Sequence, residues 1–138
     1  MKALLDTSCL VSFFLMDKHY EEAKNVLGKI VNDDIEGIIS ALSVAELCGV
    51  IRRNTDEQTA KEVKSRMDEL IGKGLIGVVP LKAADAGEAG NLAILTSLKG
   101  ADAVIVSAAK SNGCKLLTFD EEIIKKAKNH VEFFEIIS

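Results

Sequence analysis

"KLLTFDEEI", Lys115 to Ile123, decides how the chain reads. "KLLTF" is a short, nearly uninterrupted apolar run, the pattern of a strand covered on both faces. It breaks at Thr118-Phe119-Asp120 into the acidic, helix-forming stretch "DEEIIKKAKN". A hydroxyl and a carboxylate therefore stand where a buried strand ends. One reading of Asp120 is a helix cap, its side chain taking up free N–H groups of the first turn. The same arrangement recurs at the start of the chain, where "KALLD" runs into Asp6-Thr7-Ser8.

Working outward, continuously apolar strands are expected over 2–6, 36–40, 75–81, 115–119 and 131–136. Helical periodicity fills the spaces between them, over 8–15, 19–31, 43–53, 56–73, 82–98, 101–113 and 120–129. Strands that alternate with helices, and that are apolar throughout, indicate an α/β fold with a parallel sheet covered on both faces. The chain has 138 residues, a single proline, no internal repeat and no Ser/Gly-rich run, so one domain spanning 1–138 is expected.

The apolar fraction is 48% but aromatics make up only 4%, so the core must be aliphatic. A net charge of −4 excludes a nucleic-acid binder that works through a strongly basic surface. It does not exclude a nuclease, because a metal site built of carboxylates is itself negative. Cys9, Cys48 and Cys114 lack the spacing of zinc ligands and read as reduced packing residues, which points to the cytoplasm. The N-terminal apolar run is too short for a signal peptide, and no stretch approaches the roughly 20 apolar residues of a membrane span.

In parallel sheets of this kind ligands bind beyond the carboxyl ends of the strands, where strand order reverses. Four carboxylates are candidates for that edge: Asp6, Glu46, Asp102 and Asp120. Each has a simpler reading. Asp6, Asp102 and Asp120 stand near helix starts, and Ser43-Val44-Ala45-Glu46 matches a capping box. Yet Glu46 lies within "LSVAELCGV" and Asp102 within "GADAVIV", both mostly apolar. A buried carboxylate without a partner is costly, and several together repel unless cations neutralise them. Hard divalent ions such as Mg²⁺ or Mn²⁺ suit an all-oxygen site. His19, on the polar side of its helix, and His130, in a turn, are expected in solvent, which argues against histidine acid–base chemistry. Arg52 and Arg53 read as dipole partners at a helix end. Phe13-Phe14-Leu15 reads as core or as a dimer contact.

The ordered set "LLDTSCLVSFF", "SALSVAELCGVIRR" and "GADAVIVSAAKSNGCKLLTFDEEI" resembles the PIN-domain family, in particular the VapC-type toxin ribonucleases of toxin–antitoxin pairs. The resemblance implies a three-layer α/β/α sandwich with a central parallel sheet and a metal-dependent endoribonuclease that uses Mg²⁺ or Mn²⁺. It places the family's catalytic and metal-binding acids on Asp6, Glu46, Asp102 and Asp120, and its supporting hydroxyls on Ser8 and Thr118. Asp6 and Asp102 are expected as direct ligands, Glu46 and Asp120 at a second ion or at metal-bound water. The implied partners are RNA, a second copy of the chain and a VapB-like antitoxin. An arginine of that antitoxin is expected among the acids, with its apolar residues along Phe13, Phe14, Val50 and Ile51. An RNA-processing nuclease without a toxin role, or an inactive binding module, are the alternatives within the family. A phosphoacceptor receiver domain would need an acidic pair after the first strand, where only Asp6 stands. A haloacid-dehalogenase-type phosphatase would need Asp at position 8, which Ser8 occupies.

Overall fold

In β1 (Lys2–Leu5) Ala3 and Leu5 turn to one side of a sheet and Leu4 to the other, and none is more than 1% exposed. A strand with two dry faces needs cover on both, and the rest of the chain supplies it. The computed structural model describes residues 1–135. After β1 come α1 (Thr7–Leu15), α2 (Tyr20–Val31), β2 (Glu36–Ser40), α3 (Ala41–Asn54), α4 (Glu57–Gly72) and β3 (Ile76–Val79). They are followed by α5 (Ala83–Thr96), α6 (Gly100–Ser111), β4 (Lys115–Leu117) and α7 (Glu121–Ala127).

All strand pairs are parallel, and the sheet order is β3-β2-β1-β4. The chain walks outward from β1 to β3 and then returns, through α5 and α6, to the far side of β1. Strand order therefore reverses between β1 and β4. Alternation along each strand builds two cores. Leu5, Ile39 and Leu117 join α1, α2, α3 and α4 on one face through residues such as Leu10, Val26, Leu47 and Met67. Leu4, Ile38 and Leu116 join α5, α6 and α7 on the other through Leu92, Val106 and Ile123. The result is the expected three-layer α/β/α sandwich.

Local signals explain the helix ends. Asp56 caps α4 by accepting from Thr59 N at 2.7 Å, and α2 begins with Glu21 and Glu22 and ends with Lys29, matching its dipole. Arg52 and Arg53 occupy the last turn of α3 and are exposed, as expected of dipole partners. Cys9 and Cys114 are buried and Cys48 is half-buried, all as free thiols. Among the described residues no single helix is long and apolar enough to cross a membrane.

Two expectations are corrected. The last strand, expected over 131–136, is a single bridge between Phe133 and Leu116, held by Leu116 N to Glu132 O (2.8 Å) and Phe134 N to Leu116 O (2.9 Å); position 136 lies outside the described residues. β4 is only three residues long, so its outer edge gives a neighbour one residue to pair with. The helix expected from Ser43 begins at Ala41 instead, capped by Ser40, whose hydroxyl accepts from Leu42 N at 3.2 Å. Ser43 is then inside the first turn and cannot act as a cap.

Gly37 lets β2 approach α2. A Cβ there would stand 2.6 Å from Ile30 Cδ1 and 3.0 Å from Ile30 Cγ1. Gly37→Ala is expected to destabilise the fold by about 1–3 kcal/mol through overpacking, read as a lower urea midpoint with unchanged slope. An unchanged midpoint would mean that Ile30 yields freely.

Candidate active site

The reversal point lies where β1 and β4 end side by side. Asp6 follows β1, its N–H bonded to Leu117 O at 2.9 Å, and its side chain is only 5% exposed. It occupies the N-cap position of α1 but makes no side-chain cap bond, so the capping reading fails here. Its Oδ2 instead accepts from Ser8 Oγ at 2.8 Å and from Thr118 Oγ1 at 2.7 Å. Both hydroxyls also accept from the backbone after β4: Ser8 Oγ from Phe119 N (3.2 Å) and Thr118 Oγ1 from Asp120 N (3.0 Å). The hydroxyl at the end of "KLLTF" thus bridges the two strand ends.

Asp120 does cap α7, Oδ1 accepting from Glu122 N at 2.9 Å and Ile123 N at 3.4 Å. Capping and site membership are compatible in this case, because the cap uses one oxygen. Glu46 does not close a capping box. Its Oε1 accepts from Thr7 Oγ1 at 2.9 Å, and Thr7 Oγ1 also lies 2.9 Å from the buried Ser43 Oγ. Thr7 and Ser43 are absent from the sequence-derived set; the signal for them was hydroxyls embedded in apolar stretches beside an acid. Asp102 sits in the first turn of α6, whose N-cap position belongs to Lys99. It makes no hydrogen bond to any described side chain.

Electrostatics tie the four acids together. Burial, then the charges of Asp120, Asp6 and Glu46, push the Asp102 carboxyl up to about 6, against the pull of Lys99. Burial also raises Asp6, with the Thr118 and Ser8 hydroxyls opposing it. Burial pushes the Cys9 thiol well above its ordinary range, and that thiol donates to Leu117 O at 3.2 Å, so Cys9 is no nucleophile. As the side chains stand, no three or more Asp, Glu, His or Cys among the described residues are arranged to hold one metal ion. Asp6, Glu46 and Asp120 each direct one oxygen to a hydroxyl or a helix N-terminus, and each keeps a second oxygen without a hydrogen bond from another side chain. With Asp102, that donor set consists of hard oxygens alone, which fits Mg²⁺ or Mn²⁺ and not zinc.

Neither histidine stands freely in solvent as expected. His130 lies half-buried in the turn after α7. His19 does not simply face solvent: its ring stacks on Phe119, with centroids 4.4 Å apart and planes 11° from parallel. Phe14 and Leu15 pack against the core, as expected. Ile51 is fully buried and cannot meet a partner. Phe13 and Phe14 instead wall a groove of 680 Å³ between α1–α2 and α4, with Leu27, Met67 and Leu70; none of the four acids lines it.

The raised carboxyl of Asp102 makes stability depend on pH. Because its folded pKa exceeds the ordinary 3.8, the folded state holds a proton that the unfolded state releases first, so its stability contribution is lost as pH rises from about 4 through about 6. Asp102→Asn should flatten this fall and stabilise the metal-free protein at pH 7 by about 1 kcal/mol after solvent screening. Urea melts at pH 4.5 and 7 would read it, and a variant less stable at pH 7 would contradict it.

The fold has counterparts among solved structures. VapC20 of Mycobacterium tuberculosis, described as a toxin cleaving the sarcin–ricin loop, superposes with a TM-score of 0.76 at 16% identity, over 96% of this chain and 99% of that one. VapBC2 from Rickettsia felis, solved on a promoter DNA fragment, gives a TM-score of 0.70 at 18% identity, covering 97% of this chain and 98% of that one. A toxin–antitoxin complex from Klebsiella pneumoniae gives 0.68 at 20%, covering 99% and 98%. No curated protein matches the chain in sequence. At these identities the likeness is one of fold. The family model described as PIN domain matches residues 3–129, nearly the whole length. The chain belongs to the PIN-domain family.

Proposed function

We propose that this protein is a metal-dependent endoribonuclease of the VapC toxin type, with Asp6, Glu46, Asp102 and Asp120 as its catalytic and metal-binding acids. The observation that carries the reading is the hydrogen-bonded edge at the strand-order reversal, where Thr118 ties Asp6 to the Asp120 backbone and Thr7 holds Glu46, and where burial and then the charges of these three acids raise the Asp102 carboxyl. Such repulsion is relieved by a divalent cation. A bound Mg²⁺ or Mn²⁺ would lower the pKa of its water and neutralise charge on the phosphate. Asp6 holds one oxygen fixed by two hydroxyls and leaves the other for the ion. Ser8 and Thr118 keep that carboxylate from turning, and Thr7 does the same for Glu46. Asp102, free of hydrogen bonds to other side chains, can rotate to complete the set.

The toxin reading draws on the fold neighbours, several of which are toxin–antitoxin complexes. It implies a VapB-like antitoxin. The groove walled by Phe13 and Phe14 suits its apolar segment, and an antitoxin arginine, charged at any working pH, suits the carboxylates. A homodimer is supported by α5. Ile94 and Leu95, 83% and 75% exposed, end a helix that begins with exposed Ala83 and Ala84, so an antiparallel pair of α5 helices sets large side chains over small ones. Leu95→Asp should then convert a dimer to a monomer in sedimentation; an unchanged mass would place the contact elsewhere. A cytoplasmic setting accords with the three free thiols.

The test is cleavage of single-stranded RNA. The protein should cut in Mg²⁺ or Mn²⁺ and stop with EDTA. Asp6→Asn should lower the rate at least about a hundredfold, because losing even an outer-shell partner of a metal ligand costs about 10–100-fold and Asp6 is read as a ligand itself. The divalent ion should also raise the Tm of the native protein and not of Asp6→Asn. Metal-independent cleavage, or full activity in Asp6→Asn, would refute the reading, and a folded protein with a metal shift but no cleavage would favour the binding-module alternative.

A further inference from the structure

The turn between α1 and α2 is held more firmly than its exposure requires. α1 ends at Met16 in the left-handed region, φ 53°. Asp17 then takes two hydrogen bonds, from the buried Ser12 Oγ at 3.0 Å and from His19 N at 2.9 Å. Glu22 Oε2 lies 2.9 Å from His19 Nδ1. Backbone and ring of His19 are both fixed, and the ring is laid flat on Phe119.

Phe119 belongs to the acid edge. It stands between Thr118 and Asp120, its N–H reaches Ser8 Oγ, and its ring packs against the α1–α4 core. Both rings are half-buried, and His19 keeps 31% of its side chain exposed. A stacked, partly open ring pair thus sits one residue from Asp120 and one from Thr118, the hydroxyl that holds Asp6. Unpaired bases of RNA are gripped by stacking on aromatic or histidine rings, and such stacking tolerates any base. This protein needs a grip of that kind. At a net charge of −4 it lacks the general phosphate attraction on which basic nucleic-acid binders rely.

We propose that the His19–Phe119 pair is a stacking platform that seats an unpaired nucleobase of RNA beside the scissile phosphate; the proposal rests on the nuclease reading above. The base lies on the open face of His19. Phe119 supports the histidine from below, Glu22 holds its ring and Asp17 its backbone. His19 binds and orients and takes no part in proton transfer.

The experiment uses a short single-stranded oligoribonucleotide with one cleaved bond, together with versions that carry an abasic ribose on either side of that bond. One abasic position should lower kcat/KM of the native protein about tenfold, the order of one base–aromatic stack. His19→Ala should lose about the same factor on intact RNA and nothing further on that abasic RNA. His19→Phe, which keeps a ring on Phe119, should stay near native, and it preserves the test if His19→Ala misfolds. Equal losses by His19→Ala on intact and abasic RNA, or no loss on either, would overturn the platform. Cleavage that survives Asp6→Asn would instead overturn the reading on which the platform rests.

Discussion

A carboxylate that is 5% exposed, at the point where two parallel strands end together, is the constraint on which the rest of the molecule depends. Left alone, Asp6 would hold a proton or force the strands apart. Ser8 and Thr118 oppose both. Each hydroxyl donates to the same oxygen of Asp6 and accepts a backbone N–H from the segment after β4. The latch joins residues more than a hundred positions apart, and it works only if β4 lies beside β1. The return of the chain through α5 and α6 is therefore what makes the edge possible.

The latch bears on the proposed chemistry as well as on the packing. With one oxygen of Asp6 occupied, the other is aimed by the same two hydroxyls. Thr7 restrains Glu46, and the first turn of α7 restrains Asp120. Asp102 alone is unrestrained and carries the repulsion of the other three. Charge strain of this sort weakens the fold by itself and becomes an advantage when a cation or a cationic side chain arrives. On the proposed reading, metal and an antitoxin arginine would compete for the same oxygens.

Much of this was legible in the sequence, for physical reasons. Runs such as "KALLD" and "KLLTF" have no polar face, so both sides had to be covered, and the sandwich followed. Acids just beyond such runs are conspicuous, because nothing in the strand requires them. Long-range partners were not legible. Glu46 matched a capping box three residues after Ser43, but the helix began at Ala41 and Glu46 turned to Thr7 instead. His19 looked like one more polar residue on an amphipathic helix, since no local pattern announces a ring one hundred positions away. "VEFFEI" had the composition of a strand but met a three-residue neighbour, and its described residues formed one bridge. The burial of Ile51 likewise depends on how α3 meets the sheet face, which composition does not specify.

The central claim is that the four acids form one cation site at the β1–β4 reversal. Crystals grown with Mn²⁺ and measured at its absorption edge test it most directly. The account predicts an anomalous peak about 2.2 Å from an oxygen of Asp6 and of Asp102, with Glu46 and Asp120 joining directly or through water. A fully occupied peak elsewhere on the molecule, or none at millimolar Mn²⁺, would contradict it.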